Sequence, residues 1–249
     1  MSAPAMHGHS AACCNIPPIV EEGYKEKGTY EQIHDIKTYI TGSDSATKGV
    51  LFIYDIFGYF PQSLQGADIL GQQYRVLMPD WFAGEPCPIS IFPPDTPDKQ
   101  AVLSAFVGKN HPAIVAPKVA AYIAAARAKF PAVTDWAVVG FCWGGKVVSA
   151  VAKAPDTPFK AAAEVHPAMV DPEEAKGISI PLCMLASKDE DAEAVKKFEE
   201  NLSGEKYVEI YADQIHGWMA ARSNLKDERN KEEYARGYKK LLEFFGKYV

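Results

Sequence analysis

Six residues constrain this chain more than any others. Gly140-Phe141-Cys142-Trp143-Gly144-Gly145 lies between an apolar run, Trp136–Gly140, and a helical segment, Lys146–Lys153. Glycine two positions either side of a cysteine, at a strand-to-helix turn, is the Gly-x-nucleophile-x-Gly pattern with a thiol in place of the usual hydroxyl. The requirement is steric. A sharp turn holds the nucleophile in a strained backbone conformation and leaves no room for side chains two residues before or after it. The turn also sets the Trp143 N–H at a helix N-terminus, where an oxyanion is stabilised. A random chain of this composition would contain the pattern about 0.03 times. The bland alternative, a small buried cysteine beside a glycine turn, is disfavoured by the flanking strand and helix.

The rest of the chain supplies the sheet such a turn needs. Gly49–Tyr54 and Arg75–Met78 are continuous apolar runs, as in strands buried on both faces of a parallel sheet. Tyr30–Ile40 alternates and predicts a strand exposed on one face. Phe159–Val165, Ile180–Ala186 and Tyr207–Tyr211 predict further strands, and Ala113–Phe130, Glu190–Leu202 and Lys231–Tyr248 predict helices. Strands alternating with helices imply one α/β domain over residues 25–249, a doubly wound, mostly parallel sheet flanked by helices. Residues 1–24, small, polar and carrying Pro17-Pro18, read as a flexible arm. Proline-rich Trp81–Pro112 reads as an irregular excursion from the sheet.

Charge and cysteine usage narrow the partners. The net charge of −6 without a basic cluster excludes nucleic acid and anionic membrane as leading partners. No run of 18 apolar residues could span a bilayer, and no secretory signal is evident. Five cysteines in 249 residues are too few for a disulfide framework, so a reducing cytoplasm is the expected compartment. His7, His9, Cys13 and Cys14 could be weighed as metal ligands, but their spacing is unlike a usual zinc site. No metal or cofactor is expected. Cys87 and Cys183 are expected to be inert. Small molecules are the expected partners, and oligomeric state is left open.

A cysteine nucleophile needs a base and an orienting acid. On this architecture they follow the nucleophile in the order acid, then histidine. Downstream of Cys142 stand two histidines, His166 and His216. His216 sits in a loop between a strand and the last helix, where the base belongs, and His166 competes with it. The acid should follow strand Ile180–Ala186, where Asp189, Glu190 and Asp191 compete. Asp189 comes first and is the expected acid; Glu190 and Asp191 could instead serve the dipole of the following helix.

Together, Tyr54-Asp55-Ile56-Phe57-Gly58, the cysteine elbow, Ala186-Ser187-Lys188-Asp189 and His216-Gly217-Trp218 resemble the dienelactone hydrolase family over residues 25–249, especially its eukaryotic and fungal members. Those members also share an arm resembling Ala11-Ala12-Cys13-Cys14. The resemblance implies an α/β-hydrolase fold, a Cys142–His216–Asp189 triad and an oxyanion hole made by the N–H groups of Trp143 and Ile56. It further implies a carboxylate at Asp55 that contacts the resting thiol, where the family usually has glutamate. Bacterial members hold the substrate carboxylate with arginines, one shortly after the catalytic histidine. Here Ala220 stands four residues after His216, and Arg222 is the candidate substitute.

The expected chemistry is attack by Cys142 on an ester or lactone, a thioester intermediate, and hydrolysis by water that His216 activates. Aromatic residues around the site, Tyr59 and Trp218 among them, suit a planar unsaturated substrate or simply fill the core. The alternatives are a non-catalytic small-molecule binding relative, a thioesterase, and a Cys–His enzyme on a flavodoxin-like sheet. Intact Cys, His and Asp weigh against the first. The wide separation of Asp189 from His216 weighs against the last.

Overall fold

The computed structural model describes residues 23–249. Residues 1–22, with His7, His9, Cys13 and Cys14, lie outside the described residues. Eight strands form one sheet: β1 Thr29–Ile33, β2 Ile36–Thr41, β3 Lys48–Ile53, β4 Arg75–Pro79, β5 Asp135–Phe141, β6 Ala161–Val165, β7 Leu182–Ser187 and β8 Lys206–Tyr211. Their spatial order is β1-β2-β4-β3-β5-β6-β7-β8. The pairs β1–β2 and β2–β4 are antiparallel and the remaining five are parallel. The helices are α1 Pro61–Leu70, α2 Pro97–Lys109, α3 Pro112–Lys129, α4 Trp143–Ala152, α5 Pro172–Ala175, α6 Ala192–Asn201 and α7 Glu228–Tyr248. This is the doubly wound α/β-hydrolase sheet. Its central strands are mostly apolar and almost wholly buried, with Lys48, Arg75 and Asp135 only at their starts and Glu164 within β6, because both faces are covered by helices.

Three expectations are corrected. Tyr30–Ile40 is a hairpin of β1 and β2 rather than one strand, because His34 and Asp35 both take positive φ (51° and 60°) and turn the chain back. The excursion Trp81–Pro112 contains α2, with Pro97 in its first turn and Thr96 Oγ1 accepting from the Lys99 N–H at its start. Helix α1 has no counterpart among the expected elements. Its buried face carries Gln62, Ser63 and Asp68, so no apolar stripe marks it in the sequence. Gly66 on this helix lies so close to Tyr238 of α7 that a Cβ would overlap the phenol oxygen. Tyr24, assigned to the arm, donates to Asp68 Oδ2 at 2.5 Å, and Tyr39 donates to Oδ1 at 2.7 Å. Among the described residues no helix is long and apolar enough to cross a membrane.

Candidate active site

Parallel strands bring their following loops to one edge of the sheet. There, β3 delivers Asp55 and Ile56, β5 delivers Cys142, β6 delivers His166, β7 delivers Asp189 and Glu190, and the loop after β8 delivers His216. Cys142 stands between β5 and α4 with φ 53° and ψ −113°, a region L-residues rarely adopt. The glycines are required by contact. A Cβ on Gly140 would lie 2.1 Å from the Gly144 carbonyl oxygen, and one on Gly144 would lie 2.2 Å from that of Ile53. Trp143 opens α4, so its N–H has no acceptor within the helix. Cys142 is held from both sides: its N–H donates to Val165 O at 3.1 Å, and its carbonyl accepts from Ala168 N at 3.0 Å.

The three adjacent carboxylates after β7 take three different tasks. Glu190 Oε1 lies 2.6 Å from His216 Nδ1, with both side chains buried. The same carboxylate accepts from Ser187 Oγ at 3.1 Å and from the Ser187 N–H. Asp189 does not reach the imidazole. Its Oδ2 accepts the backbone N–H of His216 at 2.7 Å and so pins the loop that carries the ring. Asp191 caps α6, accepting from Glu193 N at 2.9 Å and Ala194 N at 3.2 Å. The expected pairing of Asp189 with the His216 ring is therefore corrected to Glu190. The carboxylate nearest the helix closes the helix, the first holds backbone, and the one between them faces the loop. The capping position of Asp191 is the one sequence signal that could have separated the three.

Asp55 is completely buried. Its Oδ1 accepts from Phe57 N at 2.9 Å and its Oδ2 from Ala221 N at 3.2 Å. Burial pushes its pKa up, opposed by the charge of Arg222, by the two N–H donors and by His216. Arg222 is buried, with its guanidinium 5.1 Å from the Phe57 ring centroid and 5.8 Å from that of Phe92. Gly217, at φ 94°, lies against it; a Cβ there would meet the Arg222 side chain at 2.8 Å. Ile56 is fixed by its carbonyl, which accepts from Cys87 N at 2.8 Å.

Two expected substrate contacts are engaged within the protein. The Tyr59 hydroxyl lies within hydrogen-bond distance of the carbonyls of Lys37 and Met78 and of Tyr39 N, so it ties the hairpin to β4. Trp218 is buried with its ring centroid 4.4 Å from that of Tyr211 and packs against Gly237 of α7. Both serve packing. The segment before α3 covers the elbow: Phe82 stacks obliquely on Trp143 at 4.9 Å, and the Trp143 indole N–H donates to Asn110 O at 2.6 Å. Among the described residues no cluster of three metal-ligating side chains occurs.

A model of the dienelactone hydrolase family matches residues 36–249. The chain is 33% identical to an uncharacterized AIM2 family protein of Schizosaccharomyces pombe, over 94% of this chain and 98% of the relative. It is 26% identical to the mouse (Mus musculus) carboxymethylenebutenolidase homolog, over 95% and 96% of the two chains. Among solved structures, a dienelactone hydrolase from Anabaena variabilis superposes with a TM-score of 0.62 at 16% identity, covering 90% of this chain and 98% of that one.

Proposed function

Because the chain belongs to the dienelactone hydrolase family and is as such an ester and lactone hydrolase, we propose that Cys142, His216 and Glu190 act together as a thiol–imidazole–carboxylate triad. The observation that carries this reading is the buried Glu190–His216 contact on the sheet edge where Cys142 occupies its strained turn. Glu190 fixes the tautomer with hydrogen on Nδ1 and stabilises the imidazolium. Nε2 is then the basic nitrogen that takes the thiol proton.

The thiolate attacks the carbonyl carbon, and the oxyanion is held by the N–H groups of Trp143 and Ile56. The acyl–oxygen bond then breaks, its electron pair stays on the leaving oxygen, and that oxygen takes the proton from His216 Nε2. A water that gives its proton to the same nitrogen hydrolyses the thioester and returns Cys142. Asp55 contacts the resting thiol in this reading, and Arg222 holds its carboxylate in place by charge. The thiol selects the substrate. A thiolate, with a parent pKa of about 8.5, leaves a tetrahedral intermediate faster than an amine does, so amides revert. Activated esters, enol lactones and thioesters go forward. A nucleophile of this kind needs its thiol kept reduced, which supports a reducing compartment such as the cytoplasm.

The test is hydrolysis of p-nitrophenyl acetate and of a dienelactone by wild type, Cys142→Ala and Cys142→Ser. Wild-type turnover abolished in Cys142→Ala is the expected result. Turnover that survives it overturns the reading.

A further inference from the structure

His166 is buried without any access to solvent, at the carboxyl end of β6. Its backbone is held at φ 37° by donation to Leu185 O at 2.7 Å, a left-handed conformation for a side chain beyond Cβ. Neither ring nitrogen has a hydrogen-bond partner among the described residues. An imidazole always presents one N–H and one lone pair, or two N–H groups when charged. Burying both unsatisfied is costly, and native interiors rarely do it without a reason. The ring is not isolated from the chemistry. Its centroid lies 5.1 Å from that of His216, edge to face, and 5.7 Å from that of Phe141, the residue before the nucleophile.

Sheet order says which side of the nucleophile this ring occupies. The strands run β3-β5-β6-β7-β8. Ile56, after β3, lies on one side of Cys142, and His166, after β6, lies on the other, towards His216. In the hydrolase reading above, the side of Ile56 takes the oxyanion, which leaves the side towards the proton donor His216 for the group that departs. Resting on the hydrolase reading above, we propose that His166 donates a hydrogen bond to the leaving-group oxygen as the acyl–oxygen bond breaks, a contribution that grows with the basicity of that oxygen. No proton changes hands at His166: the electron pair remains on the leaving oxygen, and the proton that neutralises it comes from His216 Nε2. Burial, with the charges of His216 and Arg222, holds the His166 ring far below the ordinary imidazole range, so it is a neutral donor rather than a second acid. His216, not His166, carries the carboxylate partner that a general base needs.

The two roles separate by leaving group. Phenyl acetate and p-nitrophenyl acetate share one acyl group, and phenolate is the more basic leaving oxygen, so a donor at that oxygen matters more for phenyl acetate. The experiment compares kcat/KM for both esters in wild type, His166→Phe, His166→Ala, His166→Gln and Cys142→Ala. His166→Phe and His166→Ala are expected to lower the phenyl acetate value about tenfold more than the p-nitrophenyl acetate value. His166→Gln, which keeps an N–H, is expected to recover part of that ratio. Both esters are read on one preparation, so a smaller folded fraction cancels. A ratio that stays within about twofold of wild type in these variants assigns His166 to packing and overturns the proposal. Activity that survives Cys142→Ala, or no wild-type turnover of either ester, overturns the hydrolase reading and this role with it.

Discussion

Glu190 Oε1 stands 2.6 Å from His216 Nδ1, with both groups shut away from solvent. The neighbouring Asp189 holds only the backbone N–H of the same histidine. Substitution therefore separates the two carboxylates by what is lost. Glu190→Gln keeps the shape but no longer stabilises the imidazolium, and kcat/KM for p-nitrophenyl acetate is expected to fall about 10²–10⁴-fold. Asp189→Ala removes the half-buried acceptor of the His216 N–H and is expected to cost on the order of 1–3 kcal/mol by denaturant unfolding, with a smaller loss of activity. The reverse ranking in steady-state kinetics would return the orienting role to Asp189.

The identity of the nucleophile sets which bonds can be cleaved. Wild type is expected to hydrolyse p-nitrophenyl acetate while leaving p-nitroacetanilide untouched, because from the tetrahedral intermediate the thiolate departs before the amine. Absorbance of the released product distinguishes the two directly. Matching rates on ester and anilide would rule out a thiol-limited acylation.

The elbow glycines answer to sterics alone. Gly140→Ala and Gly144→Ala each place a methyl group about 2 Å from a backbone carbonyl oxygen that a neighbouring rotamer cannot move aside. Each is expected to destabilise the fold by roughly 3 kcal/mol or more, or to prevent soluble expression. Thermal unfolding unchanged in both variants would mean that the turn opens at little cost.

Glu164 gives the fold a pH dependence. It is buried in β6, where Ser149 Oγ donates to its Oε1 at 2.7 Å. Burial pushes its pKa up to about 8, with the charge of Glu174 adding to the shift and Ser149 and Lys146 opposing it. The folded chain therefore holds this proton over a range in which the unfolded chain, near 4.5, has lost it. Stability is fully present below about pH 4.5 and declines as pH rises towards 8. Glu164→Gln cannot ionise. Its unfolding free energy relative to wild type is expected to rise between pH 5 and pH 8 by a few kcal/mol, on the scale of about 1.4 kcal/mol per pKa unit. A difference between the two proteins that stays constant across that range in urea titrations would contradict a protonated Glu164.

Local covalent and steric demands were legible in the residues themselves. Gly140, Cys142 and Gly144 interact within five positions of one another or with the adjacent strand, so their spacing carries the turn wherever it is written. The apolar runs of β3 to β7 likewise report burial on two faces, which only a helix-covered parallel sheet provides. The position of His216 in the loop after β8 follows from that topology.

What the residues could not disclose depended on contacts between distant segments. Three consecutive carboxylates are chemically near-equivalent, and which one meets a ring 26 positions away is decided by how the β7 turn and the β8 loop pack together. Tyr59 and Trp218 are as aromatic as any substrate contact, yet packing turns one to the hairpin and the other to Tyr211 and α7. Arg222 reads in sequence as the candidate partner of a substrate carboxylate, and in the fold it lies buried with its guanidinium near two phenyl rings. Helix α1 hides its polar buried face for the same reason: its partners Tyr39 and Tyr24, which satisfy Asp68, are remote in sequence. Sequence by itself determined the sheet, the turn and the thiol, because those follow from short-range sterics and hydrophobic period. The tertiary structure decided which acid faces the histidine, and it brought His166 to the same edge, because long-range packing alone aims one side chain at another.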